Sequence, residues 1–305
     1  MEPFRVYILG CGSALPTIKH NASSQIVELR GKMFMVDCAE GTQVLLRRSH
    51  IAFTKIGSVF ISHLHGDHCL GLMGMISTFG LMDRRMPLHV YAPKDYEALF
   101  QAQLDLFCPR LDYEVTFHPV DTAARQIVYE DRSLTVETIP LDHRVPCCGY
   151  LFREKPTLPH IRREMIDFYH IPESQIANIK NGAGWTTEEG TEVPHERLVT
   201  PADPVRSYAY CSDTRYMPKL HQMVEGVNLL YHESTYDKSR LDKARLYYHS
   251  TAEDAARVAR DARVGQLMLG HYSARYEDET ILLNEAKEIF PNTILSDERM
   301  VIDVK

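Results

Sequence analysis

Three imidazoles and a carboxylate fall within one short run, His63-Leu64-His65-Gly66-Asp67-His68. Imidazole nitrogen and carboxylate oxygen are the donors that zinc and related divalent ions prefer. The run directly follows the apolar segment Val59–Ser62, which reads as a strand. Alternate residues at a strand end point the same way, so His63 and His65 can share one ion. A turn at Gly66 can then aim Asp67 and His68 at a neighbouring point. Two ions need further ligands, and other apolar runs end in suitable residues. Leu134–Leu141 ends in Asp142-His143, Ser207–Ser212 in Asp213, and Gln266–Gly270 in His271. Each alone is weak, because a lone His after a strand is more often a surface or packing residue. If these strand ends share one rim, the ligands converge into a near-complete bimetal set. Histidine dominates the set, which favours zinc over magnesium. The chemistry to expect is hydrolysis, since such ions lower the pKa of water and stabilise developing negative charge.

The elements that must position these residues are legible as short apolar runs punctuated by Gly and Pro. Val6–Leu9, Ile26–Leu29, Met33–Val36, Val59–Ser62 and Leu88–Tyr91 read as strands. Leu134–Ile139, Ser207–Cys211, Asn228–Tyr231 and Gln266–Leu269 read likewise. Asp95–Leu106, Thr251–Arg260 and Glu277–Ile289 read as helices. Strand after strand, then strands alternating with helices, predicts an α/β (α+β) chain of layered sheets covered by helices. Residues 153–194 stand apart as polar and rich in Pro and Gly, with helix candidates at Pro159–Phe168 and Glu173–Lys180. That segment reads as an insertion or arm within a single domain of residues 1–305.

Composition bounds the rest. Net charge is −7, which argues weakly against a non-specific nucleic-acid binder while leaving room for a local basic patch. The seven cysteines include no Cys-x-x-Cys pair and read as reduced thiols. Cys38, Cys69 and Cys211 lie near candidate ligands but read best as small buried hydrophobes. No secretory signal and no bilayer-spanning run is seen, so a cytoplasmic protein without membrane contact is expected.

Several stretches resemble one family, short-form ribonuclease Z (tRNase Z) of the metallo-β-lactamase superfamily. The H-x-H-x-D-H run carries the superfamily resemblance. The branch resemblance rests on VDCAEGTQ at Val36–Gln43, LDHRVPCCGY at Leu141–Tyr150 and CSDTR at Cys211–Arg215. LLYHEST at Leu229–Thr235, HSTAEDAA at His249–Ala256 and LGHYSARY at Leu269–Tyr276 extend it essentially end to end. The resemblance implies an αββα sandwich with an inserted, protruding substrate-binding arm and two zinc ions per subunit. It implies that His63, His65 and His143 hold one zinc and that Asp67, His68 and His271 hold the other, with Asp213 bridging. It also implies a homodimer that cuts the 3′ trailer from precursor tRNA, leaving a 3′-hydroxyl on the tRNA and a 5′-phosphate on the trailer.

Within that frame Asp67 is also a candidate to orient or deprotonate water. His249, just before the Ser250-Thr251 helix start, is the candidate general acid. Glu233 and Asp37 are candidates to orient histidines. Candidate RNA contacts are Lys19 and His20, Arg84 with Arg85, Arg162 and Arg163, and Arg215, Arg275 and Tyr276 beside the ligands. Two departures stand out. The arm has Ile171-Pro172-Glu173 where the family carries a Gly-Pro element, and His20 stands where the family often has Arg. The competing reading is a phosphodiesterase of the same fold acting on small or single-stranded substrates.

Overall fold

Alternating side chains divide each early strand between two environments. In β1 (Phe4–Gly10), Val6 and Ile8 join one apolar cluster while Leu9 joins another. The same division separates Val27 from Ile26 in β2 (Ser24–Leu29), and Phe34 and Val36 from Met35 in β3 (Lys32–Cys38). A period of two with both faces apolar means a sheet covered on both sides. The computed structural model describes residues 2–305 and contains two such sheets.

The chain continues through β4 (Ile56–Phe60), β5 (Leu88–Pro93), β6 (Val115–Val120), β7 (Ile127–Glu130), β8 (Leu134–Leu141) and β9 (Cys147–Glu154). After short strands β10 (His160–Ile161), β11 (Trp185–Thr186), β12 (Glu192–Val193) and β13 (Val199–Thr200) come β14 (Ser207–Cys211) and β15 (Leu229–Glu233). The last three are β16 (Gln266–Gly270), β17 (Thr293–Leu295) and β18 (Val301–Asp303). The first sheet runs β18-β1-β2-β3-β4-β5-β6 and the second β17-β16-β15-β14-β9-β8-β7. Side chains from both fill the cluster between them, including Phe34, Phe60, Phe152 and Tyr208. Helices Thr42–Arg48, Leu72–Leu81 and Glu97–Phe107 cover the outer face of the first sheet. Helix Ala252–Asp261 packs on β15 and β16 and against helix Thr280–Ile289. This is the expected αββα arrangement.

All nine strands read from sequence are present. The reading missed β6, β7, β9, the two-residue strands β10, β11, β12 and β13, and β17 and β18, because Pro119 and the adjacent cysteines of β9 blur alternation and the other late strands are only two or three residues long. The last helix begins at Thr280 rather than Glu277, because Asp278 takes both the N–H and the hydroxyl of Thr280. Glu154–Val205 forms a compact unit of its own. It has a small core of Ile171, Ile179, Val193, Leu198 and Val199. Its first helix is shorter than expected, Arg163–Phe168, because His160–Ile161 pairs with Val199–Thr200 instead.

Gly71 fixes how the turn carrying Asp67 and His68 sits on the first sheet. Its N–H donates to the Cys38 carbonyl at 2.9 Å, and a Cβ there would lie 1.9 Å from the Ala39 carbonyl oxygen. Backbone cannot yield as a side chain can. Gly71→Ala should destabilise the fold by about 3 kcal/mol. A thermal midpoint unchanged from wild type would show that this approach is not a constraint.

Candidate metal centre

The chain brings the candidate ligands to one rim by register. The parallel strands β14, β15 and β16 pair Cys211 with His232 and Glu233 with Gly270. Their ends therefore present Asp213, Glu233 and His271 side by side. In the first sheet, Val36 pairs with Phe60, which sets Asp37 beside the segment leading into His63. Gly66–Cys69 then forms one helical turn, with the His68 N–H donating to the His65 carbonyl at 3.0 Å. Asp37 and His271 both adopt left-handed backbone, φ 56° and 58°. Non-glycine residues rarely do so unless the surroundings hold them there.

His63, His65, His143 and Asp213 place one ligand atom each within 4.8 Å of one another, and so do Asp67, His68 and His271. Asp213 faces both groups. One carboxylate oxygen lies 3.7 Å from both His63 and His143, and the other 3.3 Å from His68 and 3.1 Å from His271. All the proposed ligands therefore meet at two adjoining points.

The outer nitrogens explain the aim of the inner ones. His68 Nδ1 lies 2.7 Å from the Asp37 carboxylate, and His63 Nδ1 lies 3.0 Å from Ser62 Oγ. His143 Nδ1 reaches the Tyr248 carbonyl at 3.0 Å, and His271 Nδ1 reaches Thr235 Oγ1 at 2.9 Å. A histidine whose outer nitrogen donates outward keeps a bare lone pair on the inner one. Those inner atoms crowd, with His63 Nε2 3.1 Å from His65 Nδ1 and His68 Nε2 3.4 Å from His271 Nε2. Converging lone pairs need a cation between them, so imidazoles and carboxylates in this arrangement fit divalent metal ions.

Burial lowers the pKa of His63, His65 and His143, and their histidine neighbours add to the shift. Burial opposes ionisation of Asp67, yet His68 and His271 hold its carboxyl far below the usual range. Asp213 behaves the same way, with His271 first among its partners. His68 is lowered by burial but raised above its ordinary value by Asp213, Asp37 and Asp67. The carboxylates that favour a proton there would equally favour a metal cation.

The candidate acid and its partner also meet. His249 Nδ1 lies 2.8 Å from a Glu233 oxygen, and Glu233 is fully buried. Its other oxygen accepts from Thr235 Oγ1 at 2.7 Å, and Thr235 in turn holds His271. The Ala14 N–H donates to Asp67 at 2.8 Å. Thr235, Ser62, Ala14 and Tyr210 escaped the sequence reading, because backbone donors and hydroxyls leave no spacing signature. Lys94 and Arg144 escaped it too. They line a cavity of about 580 Å³ together with His143 and the carboxylates Asp95, Asp121 and Asp142.

The candidate RNA contacts fare unevenly. His20 is buried, with Nε2 3.1 Å from Glu279 and Nδ1 3.0 Å from Glu298, so it is corrected to an internal residue. Arg84 is corrected likewise, since it is buried and donates to the Met86 and Pro87 carbonyls. Lys19 pairs with Glu279, and Arg215 donates to Asp142 at 2.6 Å. Arg275 lies over the Tyr236 ring, and the Tyr276 hydroxyl donates to Asp237. Arg162 and Arg163 lie in the 154–205 unit, where Arg162 donates to the Val199 carbonyl.

Fold and centre together define a metallo-β-lactamase-fold protein. The metallo-β-lactamase fold protein YhfI from Bacillus subtilis superposes with a TM-score of 0.70 at 17% identity, covering 99% of this chain and 100% of that one. Human tRNase Z, short form, superposes with a TM-score of 0.72 at 24% identity, covering 99% of each chain. The model of the family described as Anti-Pycsar protein Apyc1 matches residues 4–158. Ribonuclease Z of Bacteroides fragilis is 54% identical over 100% of both chains. The chain belongs to the ribonuclease Z family, and it is a metal-dependent phosphodiester hydrolase of that type.

Asp37 holds His68 without facing the cluster, so it tests the aiming argument. Asp37→Asn should weaken metal retention about 10–100-fold, measured by competition with a chelator. Retention equal to wild type would remove Asp37 from the account.

Proposed function

We propose that this enzyme removes the 3′ trailer from precursor tRNA, leaving a 3′-hydroxyl on the tRNA and a 5′-phosphate on the trailer. The observation that carries the reading is the Glu233–His249 pair beside the ligand cluster, in a chain that matches ribonuclease Z over its whole length. His63, His65 and His143 would hold one zinc ion and Asp67, His68 and His271 the other, with Asp213 between them. When bound, two such ions would acidify water and neutralise phosphate charge.

The chain's own residues do the rest. Asp67, fixed by the Ala14 N–H, orients the attacking water. His249 donates a proton to the departing 3′-oxygen. Burial tends to strip His249 of its proton, but the Glu233 carboxylate raises its pKa to about 9, so it stays protonated at neutral pH. Lys94 and Arg144 neutralise RNA phosphates in the cavity beside His143. Arg215 and Arg275 serve phosphates nearer the centre, and Arg162 and Arg163 serve them in the inserted arm. Phe168, Tyr169 and Trp185 rim a further cavity of about 700 Å³ in that arm, suited to flat or ribose-bearing groups. A homodimer in the cytoplasm completes the reading. Exposed Leu81, Met82, Leu106 and Phe107 on two packed helices offer apolar surface for the first, and seven free thiols suit the second.

The test is cleavage of a precursor tRNA with a labelled 3′ trailer, beside His65→Ala and a small phosphodiester. One discrete cut at the trailer junction, absent in the variant, is expected. Hydrolysis of the small ester alone would move the function to another phosphodiesterase. His249→Ala should lower the cleavage rate about 10²–10⁴-fold. An acid must be protonated to act, so activity should fall as pH rises through the His249 pKa. Glu233→Gln removes the raising charge and should move that limb to lower pH. A limb that stays in place would exclude His249 as the acid.

A further inference from the structure

A cluster of metal-ligating side chains lies outside the centre. Cys11 Sγ, His20 Nδ1 and a Glu298 oxygen all fall within 4.8 Å of one another. Cys11 follows β1, His20 ends the early loop, and Glu298 lies in the turn before β18, so three distant segments meet here. The sulfur is 3.3 Å from His20 Nδ1, which is 3.0 Å from Glu298. In the centre itself the corresponding nitrogens lie 3.1 and 3.2 Å apart, His63 to His65 and His143 to His65. The two clusters therefore show the same close approach of donor atoms.

We propose that Cys11, His20 and Glu298 form a further binding site for a divalent transition metal of the zinc class. Thiolate, imidazole and carboxylate are its donors. Tetrahedral ligands on zinc sit roughly 3.3–3.8 Å apart, given bonds of about 2.0–2.3 Å, so the cluster needs to open by only a few tenths of an ångström. His20 is arranged as a ligand. Its other nitrogen lies 3.1 Å from Glu279, a carboxylate that would keep the proton on Nε2 and leave Nδ1 to a metal. The Ser296 carbonyl, 3.7 Å from Sγ, is a fourth donor within reach. Thiolate and the Glu298 carboxylate balance a 2+ ion, and binding releases the thiol proton. Entry runs through a cavity of about 330 Å³ that includes Lys19, His20 and Tyr272.

The site would clip the active-site loops from behind. The Tyr272 N–H donates to the Cys11 carbonyl at 3.1 Å, one residue from His271. The loop closed by His20 carries Ala14, whose N–H holds Asp67. Without a metal, His20 would serve as an imidazolium between Glu279 and Glu298, which is the outcome to be distinguished.

Cobalt(II) decides between them. No thiol is among the ligands of the His/Asp centre, so only a cysteine site can give a thiolate-to-cobalt charge-transfer band in the near ultraviolet. The full-length cobalt-reconstituted protein should show that band. Cys11→Ser should abolish it with about one equivalent of metal lost, while the weaker visible bands of the His/Asp centre persist. His20→Gln should weaken the band and lower metal affinity, which guards against a variant that fails to fold. A wild-type protein without the band, or a band that survives Cys11→Ser, would overturn the proposal.

Discussion

Asp37 is the interaction on which the rest of the molecule depends. Its carboxylate is fully buried, and four donors converge on it. The Ser62 N–H and hydroxyl lie at 2.7 and 2.9 Å, His68 Nδ1 at 2.7 Å and the Tyr210 hydroxyl at 2.7 Å. Asp37 belongs to the first sheet and Tyr210 to the second, so one side chain ties the two layers and aims a ligand. A buried carboxylate costs several kcal/mol unless its lone pairs are used, and here they are. The same saturation makes the arrangement rigid, because no partner can move without leaving a charge unsatisfied.

Glu233 repeats the device from the second sheet. It accepts from the Thr214 N–H, Thr235 and His249, and Thr235 passes the constraint on to His271. Two buried carboxylates thus stand behind the cluster in opposite layers, each outside the donor set and each controlling a histidine of the site. This explains why a sandwich suits the chemistry. The ligands sit on strand ends and turns, while Asp37 and Glu233 fix histidines of the site from within strands β3 and β15.

Much of this was legible in the sequence for a physical reason. Strand ends leave a sharp signature where an apolar run stops at His or Asp, and His63, His143, Asp213 and His271 were all found that way. What the sequence hid was mutual placement. His20 reads as a candidate RNA contact beside Lys19 in the early loop, but Glu279 and Glu298, far along the chain, enclose it. Arg84 looked like half of an exposed basic pair, yet only Arg85 is exposed, while Arg84 satisfies carbonyls beneath. β9 lacked alternation because it lies in the middle of the second sheet with both faces buried. Thr235 gave no signal, since a hydroxyl acquires its role only when a carboxylate and an imidazole meet it in space.

The charge of −7 bears on how such a protein would hold a polyanion. Several cations near the centre already have carboxylate partners, Arg215 with Asp142 and Lys19 with Glu279. A phosphate must displace these partners before it gains a contact; the exposed Arg215–Asp142 pair is weak enough to exchange, whereas Glu279 is buried and also holds His20. Their worth is therefore conditional, helping a ligand whose phosphates arrive together and giving little to a single stray anion. On the proposed reading, selectivity comes less from bulk charge than from a cation-filled centre at the end of a cavity, with paired charges around it that open only to a substrate of matching shape.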